Sequence, residues 1–280
     1  MRFAKLHGAG NDYLYVNGHE TEVSDPSALA VRMSNRHVGV GADGLILALP
    51  PEGDGDVRMR MFNADGSESE MCGNGVRCLA AFAVTRGLAA GDTVRVETLA
   101  GLREVALHRD EAGRIVRGST AMGRPILAPA EIPVDAAGDR AVDVPLEIEG
   151  RTLTMTCVSM GNPHAIFYTD AVADWPLERL GPAIERHPRF PNRVNVHAVE
   201  VVSSEEATVR TWERGSGPTL ACGTGACAVG VAGVLTGRTG RRLRCYVPGG
   251  DLEIAWPADD AAVRLTGPIE EVFTGEWPEG

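Results

Sequence analysis

The chain has 280 residues, 44% of them apolar and 23% charged, with a net charge of -11, as expected of a globular protein with one large or two ordinary domains. The acidic balance excludes nucleic acid as the main partner, because phosphate binding needs a basic face. A membrane is excluded as well, since the longest apolar runs contain glycine and fall well short of the roughly 20 residues needed to cross a bilayer.

The first residues, Met1 to Gly8, lack a hydrophobic signal region, so the expected compartment is the cytoplasm. Six cysteines are too sparse for a disulfide scaffold there and are read as thiols. Of 27 basic residues only Lys5 is a lysine, and no glycine-rich phosphate loop lies near it. A pyridoxal cofactor, which needs a Schiff-base lysine, finds a poor candidate.

In chain order, Arg2 to Leu6 and Tyr13 to Val16 read as short strands around the glycine-rich turn that carries Asn11, a place where side chains often face a cleft. Asp25-Pro26 starts a helix that runs to about Asn35, with proline at its first position. The glycines of residues 38–44 lead into an apolar strand, Leu45 to Leu49. No strand precedes them and no helix follows, which argues against a nucleotide loop. Val57 to Asn63 alternates as a strand, and Val76 to Val84 is apolar on every side, the pattern of a buried helix. Strands are expected at Thr93 to Thr98 and Leu102 to Leu107.

The second half repeats this plan. Shifted by 150 residues, Arg60, Cys72, Gly73 and Gly75 fall on Arg210, Cys222, Gly223 and Gly225. Shifted by 151, Gly10-Asn11 falls on Gly161-Asn162, between strands Leu153 to Val158 and Ala165 to Tyr168. A second apolar helix, Ala226 to Leu235, follows the second cysteine, and strands Leu243 to Val247 and Leu252 to Trp256 follow the helix. The fold class expected is therefore α/β, with two pseudo-symmetric repeats, each a curved, mostly antiparallel sheet wrapped around a central buried helix. The division is expected near Gly118, giving 1–117 with Cys72 and 118–262 with Cys222. The segment 263–280 is expected to complete the first repeat, because Val263 to Pro268 echoes Val116 to Pro125.

Four stretches together strongly resemble the diaminopimelate epimerase family. They are Gly8-Ala9-Gly10-Asn11-Asp12, Asn63 to Arg77 around Met71-Cys72-Gly73-Asn74-Gly75, Gly161-Asn162-Pro163-His164, and Trp212 to Gly225 around Ala221-Cys222-Gly223-Thr224-Gly225. The departures are Tyr13 in place of a more usual Phe, Asn17 in place of Asp, and Val194 to Ala198, where the family has Thr before the asparagine and Glu-Phe after it. The resemblance implies two α/β domains across a cleft and cofactor-independent inversion of LL-2,6-diaminopimelate to the meso form in lysine synthesis. Expected cofactors and metals are none, and the expected partner is a small-molecule amino acid. A homodimer is one assembly open to the chain.

Inversion without a cofactor needs a base on each face of the α-carbon, and Cys72 and Cys222 are the candidates. A helix N-terminus favours thiolate, so both thiols are expected to have lowered pKa values. The same helix starts, at Gly73-Asn74 and Gly223-Thr224, offer N–H groups to the α-carboxylate. Arg214 suits a distal carboxylate and Glu213 a distal ammonium. By resemblance Asn11, Asn63, Asn162 and Asn195 line the cleft, and His164 and Glu213 tune the thiols. Cys78, Cys157, Cys227 and Cys245 read as structural. A zinc site from Cys72, Cys78, Cys222 and Cys227 is set aside, because spacings of five or six along a helix put the pairs on poorly matched faces. A histidine or proline racemase and a thiol binding or redox protein are the competing functions.

Overall fold

A computed structural model describes residues 1–278. In chain order its elements are β1 (Arg2–Gly8), β2 (Asn11–Asn17), α1 (Pro26–Ser34), β3 (Gly44–Leu49), β4 (Val57–Asn63), β5 (Glu68–Ser69), α2 (Gly73–Thr85), β6 (Thr93–Thr98), β7 (Gly101–Arg109) and β8 (Ile115–Ala121). There follow β9 (Val144–Ile148), β10 (Arg151–Ser159), β11 (Pro163–Tyr168), α3 (Leu177–Glu185), β12 (Asn195–Ser203), β13 (Glu206–Glu213), β14 (Gly217–Thr219), α4 (Gly223–Leu235), β15 (Arg242–Val247), β16 (Gly250–Ala255), β17 (Arg264–Pro268) and β18 (Glu270–Glu276). They form two compact units, Met1–Ala121 joined by the C-terminal segment from Thr266, and Met122–Leu265.

In unit 1 the strands pair β1 with β2 antiparallel, β2 with β3 parallel, β3 with β4 antiparallel, β4 with β6 parallel and β6 with β7 antiparallel. Unit 2 repeats that order through β10, β11, β12, β13, β15 and β16. Each strand alternates its side chains between faces, so neighbours in sequence enter different cores. Tyr15 and Ile46 pack with Val76, Leu79 and Phe82 of α2, whereas Leu14 and Leu45 pack with Ala30 and Met33 of α1 on the outer face. Burying side chains of this size is worth about 1.5–3 kcal/mol each, which is what holds an apolar helix inside a curved sheet. In unit 2, α4 lies against β10, β11, β12, β15 and β16, and α3 covers the outer face through Leu177, Leu180 and Ile184.

Four boundaries differ from the sequence reading. Both central helices begin three residues earlier, at Gly73 and Gly223, because each cysteine is the N-cap and the glycines form the first turn. Helix α1 ends at Ser34, one residue short of Asn35, which is extended. Gly118 lies inside β8 rather than at a division, since a Cβ there would sit 2.9 Å from Ile269 Cδ1 and 3.2 Å from Arg77 Cβ. Only glycine lets β8 approach α2 so closely.

The last strand, β18, pairs antiparallel with β1 from Arg2↔Glu276 to His7↔Glu270. Beyond it the chain ends are tied: the Met1 ammonium donates to Trp277 O at 2.9 Å and Trp277 N–H donates to Met1 O at 2.8 Å. No helix among the described residues is long and apolar enough to cross a membrane.

Candidate active site

Each unit gathers candidate residues where its sheet hands over to its central helix. In unit 1, Cys72 has extended backbone, φ −132° and ψ 125°, and its sulfur accepts from Gly75 N–H at 3.5 Å. The Cys72 thiol donates to Asn11 Oδ1 at 3.3 Å, and Asn74 Nδ2 donates to the same oxygen at 3.4 Å. Asn11 is held in that orientation because its Nδ2 donates to Asp43 Oδ2 at 2.8 Å. Asp43 in turn shares Arg36 with Asp12, which also pairs with Lys5 at 2.8 Å. Burial alone would raise the Asp12 carboxyl, but Arg36 and Lys5 outweigh it and hold it below the ordinary range. Fully buried Arg77 donates to Gly73 O and Asn74 Oδ1, fixing the first turn of α2. The Asn63 amide donates instead to Ser67 Oγ at 2.9 Å, and its backbone joins the group through the pairing of Asn63 with Gly44 and the bond from Ala64 N–H to Asp43 O at 3.0 Å.

In unit 2, Cys222 begins α4 with φ −122° and ψ 108°, and its sulfur lies 3.6 Å from Thr224 Oγ1. Asn195 donates from Nδ2 to Pro163 O and accepts from Arg214 N–H, both at 2.9 Å. That links β11, β12 and the end of β13. The Arg214 guanidinium is exposed and donates to Asn192 O at 2.8 Å. Glu213 is half-buried beside it, and its negative charge acts on Cys222. His164 Nε2 lies 2.9 Å from Asn162 Oδ1, His164 Nδ1 lies 2.9 Å from His197 Nε2, and His197 Nδ1 lies 2.9 Å from Thr211 Oγ1.

The expected lowering of both thiol pKa values is not what the structure gives. Burial pushes the Cys72 thiol up, and the N–H groups of Gly75 and Asn74 and the Tyr13 hydroxyl only partly offset it. Burial followed by the Glu213 charge pushes Cys222 up further, against the Thr224 hydroxyl and Gly225 N–H. A helix start is a fraction of a charge, and desolvation of a whole anion outweighs it. His164 is likewise uncharged, being driven well below its ordinary value by burial and by the neighbouring His197, which burial takes to about 3. A neutral His164 supplies no positive charge to favour a thiolate.

Five groups at these clusters are given no role in the sequence reading: Tyr13, Asp43, Arg77, His197 and Thr211. Alternation was the available signal for two, since Tyr13 follows Asn11, and His197 follows Asn195, by two residues on one face of a strand. Thr211 meets His197 only through the antiparallel register of β12 and β13.

All six cysteines are free, and those at the heads of α2 and α4 occupy matching places in the two repeats. The fold is shared with a hydroxyproline epimerase from Agrobacterium vitis (TM-score 0.67, 15% identity, 98% of this chain and 90% of that one). A Bacillus anthracis phenazine biosynthesis protein of the PhzF family also shares it (TM-score 0.70, 17% identity, 100% and 99%). Fold and sequence relatives together define the class, an amino-acid epimerase.

The family model for diaminopimelate epimerase matches residues 3–127 and 156–272. A diaminopimelate epimerase of Acetivibrio thermocellus is 49% identical over 277 residues, 99% of this chain and 98% of the relative. One of Desulforudis audaxviator is 51% identical over 278 residues, 99% of each. The chain belongs to the diaminopimelate epimerase family.

Proposed function

We propose that this chain interconverts LL- and meso-2,6-diaminopimelate in the cytoplasm without a cofactor, using Cys72 and Cys222 as acid and base on opposite faces of one α-carbon. The observation that carries the proposal is the repeated one: a free cysteine occupies the N-cap position of the central helix of each unit.

In the forward direction one cysteine, as thiolate, takes the α-hydrogen as a proton. The C–H electron pair moves into the α-carboxylate, where the N–H groups of Gly73, Asn74, Gly223 and Thr224 receive the developing charge. The other cysteine gives its S–H proton to the opposite face and is left as thiolate, so proton and charge balance and the reverse reaction uses the same groups in exchanged roles. Burial that raises a thiol pKa makes the thiolate scarcer but a stronger base, which suits so weakly acidic a hydrogen.

At the far end of the substrate, Arg214 grips the distal carboxylate, with Asn63, Asn162 and Asn195 as further donors, and Glu213 accepts from the distal ammonium. Asn11 and Asn74 sit with Cys72 at the reacting end.

Incubation with meso-diaminopimelate in deuterium oxide tests the proposal. Hydrogen at the α-carbon is expected to exchange with solvent in the wild type, and Cys72→Ser and Cys222→Ser are each expected to lose overall turnover by at least about 10³-fold. Normal turnover in either variant, or exchange faster with proline or histidine than with diaminopimelate, would overturn it.

A further inference from the structure

Of the buried chain Asn162–His164–His197–Thr211, only the first two members have a polar counterpart in unit 1, Asn11 with Tyr13. By strand register Tyr13 stands where His164 does, Ile46 where His197 does and Met61 where Thr211 does. The first repeat fills this row with apolar and aromatic side chains, so packing alone does not require histidine. Both rings are completely buried, and each ring nitrogen has a partner at 2.9 Å.

A chain of neutral groups is coherent in only two senses. In one, Thr211 donates to His197 Nδ1, His197 Nε2–H donates to His164 Nδ1, and His164 Nε2–H donates to Asn162 Oδ1. In the other every donor and acceptor is exchanged, both rings carry Nδ1–H, and Asn162 turns its carbonyl outward. The structure has Asn162 Oδ1 on the His164 side, which is the first sense. That sense turns the Asn162 NH2 away from His164 and leaves both of its N–H donors to an anion.

We propose that His197 is a positioning residue for the substrate: by donating from Nε2 to His164 Nδ1 it locks the His164 tautomer and so presents the Asn162 NH2 to a substrate carboxylate. This rests on the assignment of Asn162 to substrate binding made above. His197 touches no substrate. It acts as the outer partner that fixes which nitrogen of His164 carries the proton. Without it, His164 can take either tautomer and the Asn162 amide can face either way.

Two measurements on the intact enzyme test this. In long-range nitrogen–proton NMR of histidine-labelled protein, His164 and His197 are expected as neutral rings with the proton on Nε2; a proton on Nδ1 of either ring overturns the proposal. In kinetics with meso-diaminopimelate, His197→Leu is expected to raise KM about tenfold with little change in kcat, because an orienting contact serves ground and transition state alike. His197→Gln, which keeps a donor near the Nε2 position, is expected to hold KM within about threefold. A purely structural histidine would lower the folded fraction, and kcat with it, while leaving KM and the tautomer of His164 alone. Equal KM in His197→Leu and His197→Gln overturns the proposal, and if the leucine variant fails to fold, the NMR of the wild type and the glutamine variant decides. An unchanged KM in Asn162→Ala would instead remove the substrate contact beneath the positioning role, whatever the tautomers prove to be.

Discussion

One methyl group at Gly225 would fall 2.3 Å from His197 Cε1 and 3.1 Å from Cys222 Sγ, so the first turn of α4, the thiol and the histidine row share a space that admits only glycine. At the matching Gly75 the methyl would meet Ile46 Cδ1 at 2.8 Å, the far end of a flexible side chain. Gly225→Ala is therefore expected to cost about 1–3 kcal/mol of stability and Gly75→Ala distinctly less, read from chemical denaturation of the two variants. Equal losses would mean the His197 contact yields as easily as Ile46. At this scale the cysteines were legible because they recur at a fixed offset, as were the turn asparagines Asn11 and Asn162. The thiol pKa values were not, since a cap can be read from Cys-Gly but the depth at which the fold buries it cannot. His197 and Thr211 are 14 residues apart and become partners only through strand register.

At the scale of elements, the row crossing β11, β12 and β13 has a pH signature. Burial depresses His164 and His197, so the unfolded chain takes up their protons first as pH falls. The stability that neutral burial supplies is fully present above the unfolded histidine value of about 6.5 and is lost on acidification below it. His197 contributes about 1.4 kcal/mol per pH unit until its folded value near 3 is reached. Denaturant midpoints between pH 7 and 4 should fall less steeply in His197→Gln than in the wild type; parallel slopes would contradict neutral burial. A second expectation concerns β18: ending the chain at Leu265 strips β1 of its outer partner and α2 of Ile269, and should leave unit 1 unfolded by hydrogen exchange. A soluble, active truncation would refute it. The central helices were legible because an all-round apolar run has only one place to go. Helix α3 was not, for it carries Pro182 and has no side-chain cap. β18 offered little pattern either, because most of its residues are exposed.

For the whole molecule, the duplication was the most legible feature, and it survives as one order of parallel and antiparallel pairings used twice. If Cys72 and Cys222 work on a single carbon, as proposed, a disulfide between them is an expected product of oxidation. Mild oxidation is then expected to abolish activity, with a peptide map linking Cys72 to Cys222, and reductant to restore it. Full activity with both thiols still titratable after oxidation would count against a shared carbon.

The tie between β1 and β18, with Met1 and Trp277 bonded beyond it, also bears on how the protein is made. As a nascent chain leaves the ribosome, unit 1 emerges almost whole yet lacks an outer strand that is translated only after unit 2, which is continuous in sequence. The repeat that is synthesised first is therefore the one that must wait, its sheet edge open, until residues 270–276 have followed unit 2 off the ribosome.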